Sequence, residues 1–349
     1  MWLEHHAPVA DWDSSIQFHI GDENGVYAGG PVRVRCVPDG NPTRAFLPVT
    51  FSGFPMRGDH IHVRLFRPDI PSGWKKLAEF KIANPAKYKP PMTWKIEPVP
   101  TTRRNQDLEV ELKRIALNTA PDGSFTPTES FDPNLGATAD LVLRDPNGPT
   151  TQWKPIDVWV SAGGPGLRNP AHPDGSWLSF REGITNRVHW TPLPWPNPNG
   201  MEFQFLFARE PSAKFATNEL IHLKGLPIPK KNEVFESDFT TNVMSIDIEF
   251  IGLAGALAEF DFRPKIPSAG LSLQVEASSP SWITRIDVVS VQDEQGAQIP
   301  AERVSTWRNN QQRAFRIDPR NNSKTLDVTL AIHRVRTVKF HVKPEFLTK

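Results

Sequence analysis

The densest grouping of chemistry-bearing side chains is Asp59-His60-Ile61-His62. On an extended strand His60 and His62 share one face with Arg64 and Phe66, while Ile61, Val63 and Leu65 share the other. Two imidazoles at i and i+2 chelate zinc or copper when a third ligand arrives from elsewhere, and His5, His6 and His19 are the nearest in sequence. Against this, Arg64 on the same face repels a cation, and no carboxylate–histidine spacing completes a ligand set. The face therefore reads as solvated strand surface. His60 and His62 stay as weak metal candidates, and no metal or other cofactor is expected.

A second grouping is aromatic. His172-Pro173-Asp174-Gly175-Ser176-Trp177 is followed by Trp190-Thr191-Pro192-Leu193-Pro194-Trp195-Pro196-Asn197-Pro198-Asn199-Gly200. Prolines hold a backbone extended and cut its conformational entropy, so Trp177, Trp190 and Trp195 are candidates for rigid surfaces that stack on sugar rings or receive a partner's apolar side chain. The simpler alternative is that the rings fold back over their own sheets. Both readings stay open at this point.

Catalytic signatures are missing. GxSxG, GxxxxGK[ST] and HExxH do not occur. The run Ala162-Gly163-Gly164-Pro165-Gly166 precedes no helical pattern and reads as a turn, not a phosphate cradle. Glu109/Glu111 and Asp247/Glu249 lie on the polar faces of strands, whereas a glycosidase needs two acids facing each other across a cleft. No catalytic residue is assigned and no enzyme is expected.

The elements that must position these residues are strands. Leu108, Val110 and Leu112 alternate with charged residues, and so do Met201, Phe203, Phe205 and Phe207 with their neighbours. The same holds for Ile246, Ile248 and Phe250, for Leu271, Leu273 and Val275, for Leu326, Val328, Leu330 and Ile332, and for Val338, Phe340 and Val342. Such rows bury one face and wet the other. The 35 prolines, clustered between apolar runs, fit short strands with punctuated loops. Only Ala301 to Arg308 reads as a short helix. The strand at 201–208 is almost wholly apolar and is expected to need a cover along its edge, for which the Trp190–Asn199 loop is nearest. Basic residues flanking 337–342 read as protection of an edge.

Net charge is +1, from 40 basic and 39 acidic residues that are interspersed, so the footprint of a nucleic-acid binder is missing. No apolar run approaches the roughly 20 residues of a membrane-spanning helix, and residues 1–30 contain no signal-peptide core. The single cysteine, Cys36, falls in phase with Val32 and Val34 and reads as a small core residue.

Two Pro-flanked stretches divide the chain into module 1 (1–85), a linker (86–104), module 2 (105–228), a second linker (229–239) and module 3 (240–349). Each module has the size of an immunoglobulin-like sandwich. Ile156-Asp157-Val158 and Ile286-Asp287-Val288 are 130 residues apart, as are Gly166 and Gly296, and Trp153 and Trp282 precede the two triplets. Modules 2 and 3 therefore read as copies of one plan, with the two tryptophans in equivalent buried places. The fold class expected is all-β, with tandem immunoglobulin-like antiparallel β-sandwich modules.

The strings GWKKLAEFKIANP (73–85), TTRRNQDLEVELKRI (101–115), QWKPIDVWVS (152–161), ELIHLKGLPIP (219–229) and KTLDVTLAIHRVRTVKFHVKP (324–344) resemble a group of uncharacterised bacterial multi-β-domain proteins of planctomycete and verrucomicrobial type. That resemblance implies β-modules held outside the cytoplasm and carries no catalytic residues with it. The expectation is a structural or interaction protein of the envelope or extracellular space that binds a protein partner or its own copies, with no nucleic acid and no spanning segment. A carbohydrate-binding protein with polysaccharide as its partner is the alternative, and a hydrolase of unrecognised site the third.

Overall fold

The computed structural model describes residues 2–5, 17–21, 27–30, 37–38, 45–48, 59–69, 73–84, 95–120, 122–124, 136–161, 168–170, 179–181, 185–190, 200–255, 271–307, 311–319 and 322–346. The alternating rows become strands. In chain order the first are β1 (Trp2–His5), β2 (Gln17–Gly21), β3 (Tyr27–Gly30), β4 (Val37–Pro38), β5 (Ala45–Pro48), β6 (His60–Asp69) and β7 (Gly73–Ala83). Then come β8 (Thr101–Asn105), β9 (Leu108–Thr119), β10 (Gly136–Asp145), β11 (Gly148–Pro149), β12 (Trp153–Ser161), β13 (Arg168–Pro170), β14 (Ser179–Arg181), β15 (Asn186–Trp190) and β16 (Met201–Arg209). After a 3-10 turn at Thr217–Glu219 follow β17 (Leu220–Pro227), β18 (Val234–Glu236), β19 (Thr240–Val243), β20 (Ile246–Ala254), β21 (Leu271–Ala277) and β22 (Thr284–Asp293). The last are β23 (Ala301–Trp307), β24 (Gln312–Ile317), β25 (Thr325–Arg334), β26 (Arg336–Val342) and β27 (Glu345–Phe346).

The protein is all-β, in several antiparallel sheets, and the described residues contain no α-helix. The helix expected at 301–308 is instead β23, paired with β24 from Ala301↔Ile317 to Trp307↔Gln312. Its helix-forming Ala-Glu-Arg start is overridden by the ladder of a neighbouring strand, because propensity is weaker than tertiary pairing.

Contacts divide the chain into two compact units, one of residues 1–150, 155–205 and 337–349, the other of residues 151–154 and 206–336. In the first unit the sheets run β1-β5-β4, β3-β2-β6-β7, β14-β15-β10-β9-β27 and β13-β12-β16-β26; β8 also pairs with β9 and β11 with β10. Leu108, Val110 and Leu112 of β9, Met201, Phe203 and Phe205 of β16, and Phe340 and Val342 of β26 are all buried. In the second unit the orders are β17-β25-β22 and β18-β20-β21-β24-β23, with β19 also on β20. Ile246, Ile248 and Phe250 share one core there with Leu271, Leu273, Val275, Leu326, Val328, Leu330 and Ile332.

Pairing differs from the sequence expectation in two ways. The strand at 201–208 is not an edge: β16 lies between β12 and β26, and both of its faces are largely buried. The last strands within 105–228 and 240–349 each lie in the sheets of the other segment. β17 adds to β25 in the second unit, from Leu220↔Ala331 to Pro227↔Thr325, while β26 returns to β16 in the first. The outer side of β26 is occupied as well, since His341 O accepts from Glu97 N and Thr337 O from Asn105 Nδ2, each at 2.8 Å.

The tryptophans also part company. Trp153 opens β12 and is buried, whereas Trp282 sits half-buried in the turn before β22. Counting back three residues from each Ile-Asp-Val triplet gives Trp153 before the first and Ile283, which is exposed, before the second. The one-residue offset places Trp282 outside the strand and removes the expected equivalence.

Candidate functional site

On β6 the alternation holds as far as Leu65: Ile61 and Val63 are buried, and His60, His62 and Arg64 are partly exposed on the other face. Phe66, in the phase of the histidines, is buried where the ladder shifts register: Leu65 pairs with Ala78 and Phe66 with Lys76, which leaves Leu77 as the extra residue of β7. Across the ladder Glu79 faces Arg64 and Lys81 faces His62. Glu79 Oε1 accepts from Arg64 Nε at 3.0 Å and lies 3.2 Å from His62 Nδ1, while Oε2 accepts from Lys76 Nζ at 2.9 Å. The Lys76 hydrogen bond, then those of Arg64 and His62, outweigh burial and hold the Glu79 carboxyl down at about 2. The one carboxylate beside His62 is thus engaged by basic side chains. No group of three His, Cys, Asp or Glu among the described residues is arranged to hold a metal ion.

Trp177 and Trp195 lie outside the described residues. Trp190 ends β15 and is wholly buried, with its ring edge-on to Phe203 at 6.2 Å and to Phe205 at 6.0 Å. It is a core residue, not a presented surface, and its Nε1 has no hydrogen-bond partner among the described residues. The reason is strand parity: Asn186, Val188 and Trp190 occupy the same phase of β15 and are all buried.

β7 is an eleven-residue strand that pairs with β6 on one side and with no other described strand. Phe80 stands opposite Val63 and Ile82 opposite Ile61, so the apolar face of β6 continues outward to the sheet's edge. There Leu77, Phe80 and Ile82 remain 44%, 39% and 41% exposed. Lys75 and Lys81, also exposed, have no carboxylate partner among the described residues. Charge on an edge strand usually blocks further pairing, but three large exposed apolar side chains along one edge make a contact surface. The alternating run Phe80-Lys81-Ile82 was readable in the sequence; that no second described strand pairs with it was not.

A second cluster, in the 206–336 unit, is almost entirely withdrawn from solvent. Asp287 of β22 lies 3.1 Å through Oδ2 from Nε2 of His333 on β25, and it accepts from Arg285 Nε at 3.1 and 3.2 Å. Burial raises the Asp287 carboxyl, but the His333 hydrogen bond and the charges of Arg285 and His333 prevail and leave it below its usual value. Burial also lowers His333, against the pull of Asp287. Phe215 tilts over the imidazole with centroids 5.3 Å apart, and the Arg209 guanidinium lies 4.7 Å above Phe215. His333 has no exposed surface, and its Nδ1 has no hydrogen-bond partner among the described residues.

Arg313 of β24 is also fully buried and donates to Ser279 O at 2.9 Å and Thr284 O at 3.0 Å. It shares a phase with Phe315 and Ile317, and a charge in the apolar phase of a strand is the sequence signal that would have found it. No protein-family model, no curated protein and no solved structure matches the chain.

Proposed function

We propose that the chain is a non-enzymatic interaction protein built of immunoglobulin-like sandwich modules, whose contact strand is β7. Strand order supports the architecture. β9, β10, β15 and β14 correspond to the A-B-E-D sheet of that fold, and β26, β16, β12 and β13 to its G-F-C-C′ sheet. β20, β21, β24 and β23, with β17, β25 and β22, follow the same two orders, which favours duplication of one plan. Trp153, buried on the strand that corresponds to C, fits the same fold.

The observation that carries the function is the open edge of β7, with Leu77, Phe80 and Ile82 exposed beside Lys75 and Lys81. Added strands gain main-chain hydrogen bonds from such an edge and specificity from alternate side chains. Lys75, Lys76 and Lys81 against Glu79 disfavour a second β7 and favour an extended segment that alternates apolar with acidic residues. A synthetic peptide alternating valine and glutamate should bind the full-length chain, and one alternating valine and lysine should not. Binding should be lost in the double variant Phe80→Lys, Ile82→Lys while the melting temperature holds. Equal binding of both peptides, or binding that survives the double variant, would refute the reading.

A further inference from the structure

We infer that β7 receives an antiparallel strand which hydrogen-bonds to the backbones of Glu79, Lys81 and Ala83 and sets a single acidic side chain opposite Lys81. The inference rests on the reading of β7 as the contact strand, and adds the direction, register and charge order of the segment it takes.

The ladder between β6 and β7 decides which backbone groups of β7 face outward. Asn84 N donates to Asp59 O at 2.8 Å, one step beyond the pair His60↔Ala83. Hydrogen-bonded and non-hydrogen-bonded pairs alternate along an antiparallel ladder. Counted inward from that bond, Ile61↔Ile82, Val63↔Phe80 and Leu65↔Ala78 are bonded pairs, whereas His60↔Ala83, His62↔Lys81 and Arg64↔Glu79 are not. The N–H and C=O groups of Glu79, Lys81 and Ala83 therefore point away from β6, to the side of β7 where no described strand lies. Every residue from Glu79 to Ala83 is exposed, and no hydrogen bond among the described residues reaches those outward groups.

The side chains then select the occupant. Residues of an added strand that align with Phe80 and Ile82 fall on their apolar face, and those that align with Glu79 and Lys81 fall on the charged face. Lys81 has no carboxylate partner among the described residues, so an acid belongs opposite it. Glu79 is already held by Lys76, Arg64 and His62, and a second acid facing it would be a like-charge pair. That position takes a neutral strand former such as threonine. The extra residue Leu77 bends the edge, so the matching stretch runs from Ala78 to Ala83. Antiparallel addition is favoured because it is the stabler pairing per residue, and β2, β6 and β7 are already joined that way.

The test is binding of the full-length chain to a synthetic peptide of alternating valine and threonine with one central glutamate. In antiparallel register the glutamate N–H faces β7, while the N–H of each neighbouring valine faces away from it. N-methylation at the glutamate should therefore weaken binding about tenfold or more, and N-methylation at an adjacent valine should leave it unchanged. Lys81→Glu, at an exposed side chain, should keep the melting temperature and switch the preference to a peptide with a central lysine. Harm from the methylated valine alone would mean parallel addition and overturn the inference. So would equal effects of the two methyl groups, or a Lys81→Glu chain that still prefers the central glutamate. Should the valine–glutamate peptide of the preceding test fail to bind the unsubstituted chain, the β7 reading and this inference fall together. Should it bind while the methylation or charge-swap result is contrary, only this inference falls.

Discussion

Asp157 and Trp159, two residues apart on β12, are joined side chain to side chain. Trp159 Nε1 donates to Oδ2 at 2.8 Å while Val158 N donates to Oδ1 at 2.8 Å, and no cation among the described residues completes the carboxylate's shell. Asp287, at the corresponding place in the second triplet, has an arginine and a histidine instead. The two carboxyls accordingly move in opposite directions. Burial lifts Asp157 to about 6 against the pull of its two hydrogen bonds, while Asp287 lies below its usual value.

A carboxyl raised in the folded state favours folding only while it is protonated. Its contribution is complete below the unfolded value near 3.8 and is lost as pH rises through about 6. Asp157→Asn should therefore stabilise the chain by about 1–2 kcal/mol at pH 7.5, a figure reduced for partial exposure, and by almost nothing at pH 4. Urea unfolding at the two pH values measures the difference. A gain of equal size at both would refute the assignment to ionisation.

Glu79 gives the opposite dependence. Its folded value, about 2, lies below the ordinary 4.5, so its contribution is present above 4.5 and disappears as pH falls through 2. Glu79→Gln should cost about 0.5–1 kcal/mol near pH 6, the scale of a partly exposed ion pair, and nothing near pH 2. Added salt should shrink the loss at pH 6. A loss that ignores both salt and pH would mean that Glu79 acts by packing alone.

The return of β26 predicts a remote effect. Phe340 is fully buried with its ring 6.0 Å from Phe205 of β16, so Phe340→Ala should cost about 3–5 kcal/mol. Hydrogen exchange should locate that loss in β16 and spare β22 and β25. Loss confined to β22 and β25 would place the closing strand in the wrong unit.

What was legible in the sequence was the facing of strands, and what was not was their neighbours. The rows from Leu108, Met201 and Ile246 point inward as their alternation requires, because a period of two fixes which face is buried. The same period is silent about which strand lies alongside, so β17 and β26 looked like the ends of the modules they follow. Proline around Trp190 suggested a displayed ring, although its phase with Val188 already pointed to the core. The buried and half-buried arginines were hidden for another reason. Arg285 lies on a strand of one sheet and Arg303 and Arg313 on strands of another, so neither alternation nor strand pairing links the three.

The exchange of closing strands also sets an order for synthesis. Every strand from β17 to β25 has been synthesised by Arg334, so the 206–336 unit has all its described strands while the β13-β12-β16-β26 sheet still lacks β26. A chain halted at that point would carry β16 with one side unpaired and an apolar surface awaiting Val338, Phe340 and Val342. The earlier-made strands of that sheet therefore wait for the last-made one, and a nascent chain stalled there would present an open sheet edge of the kind that chaperones shield.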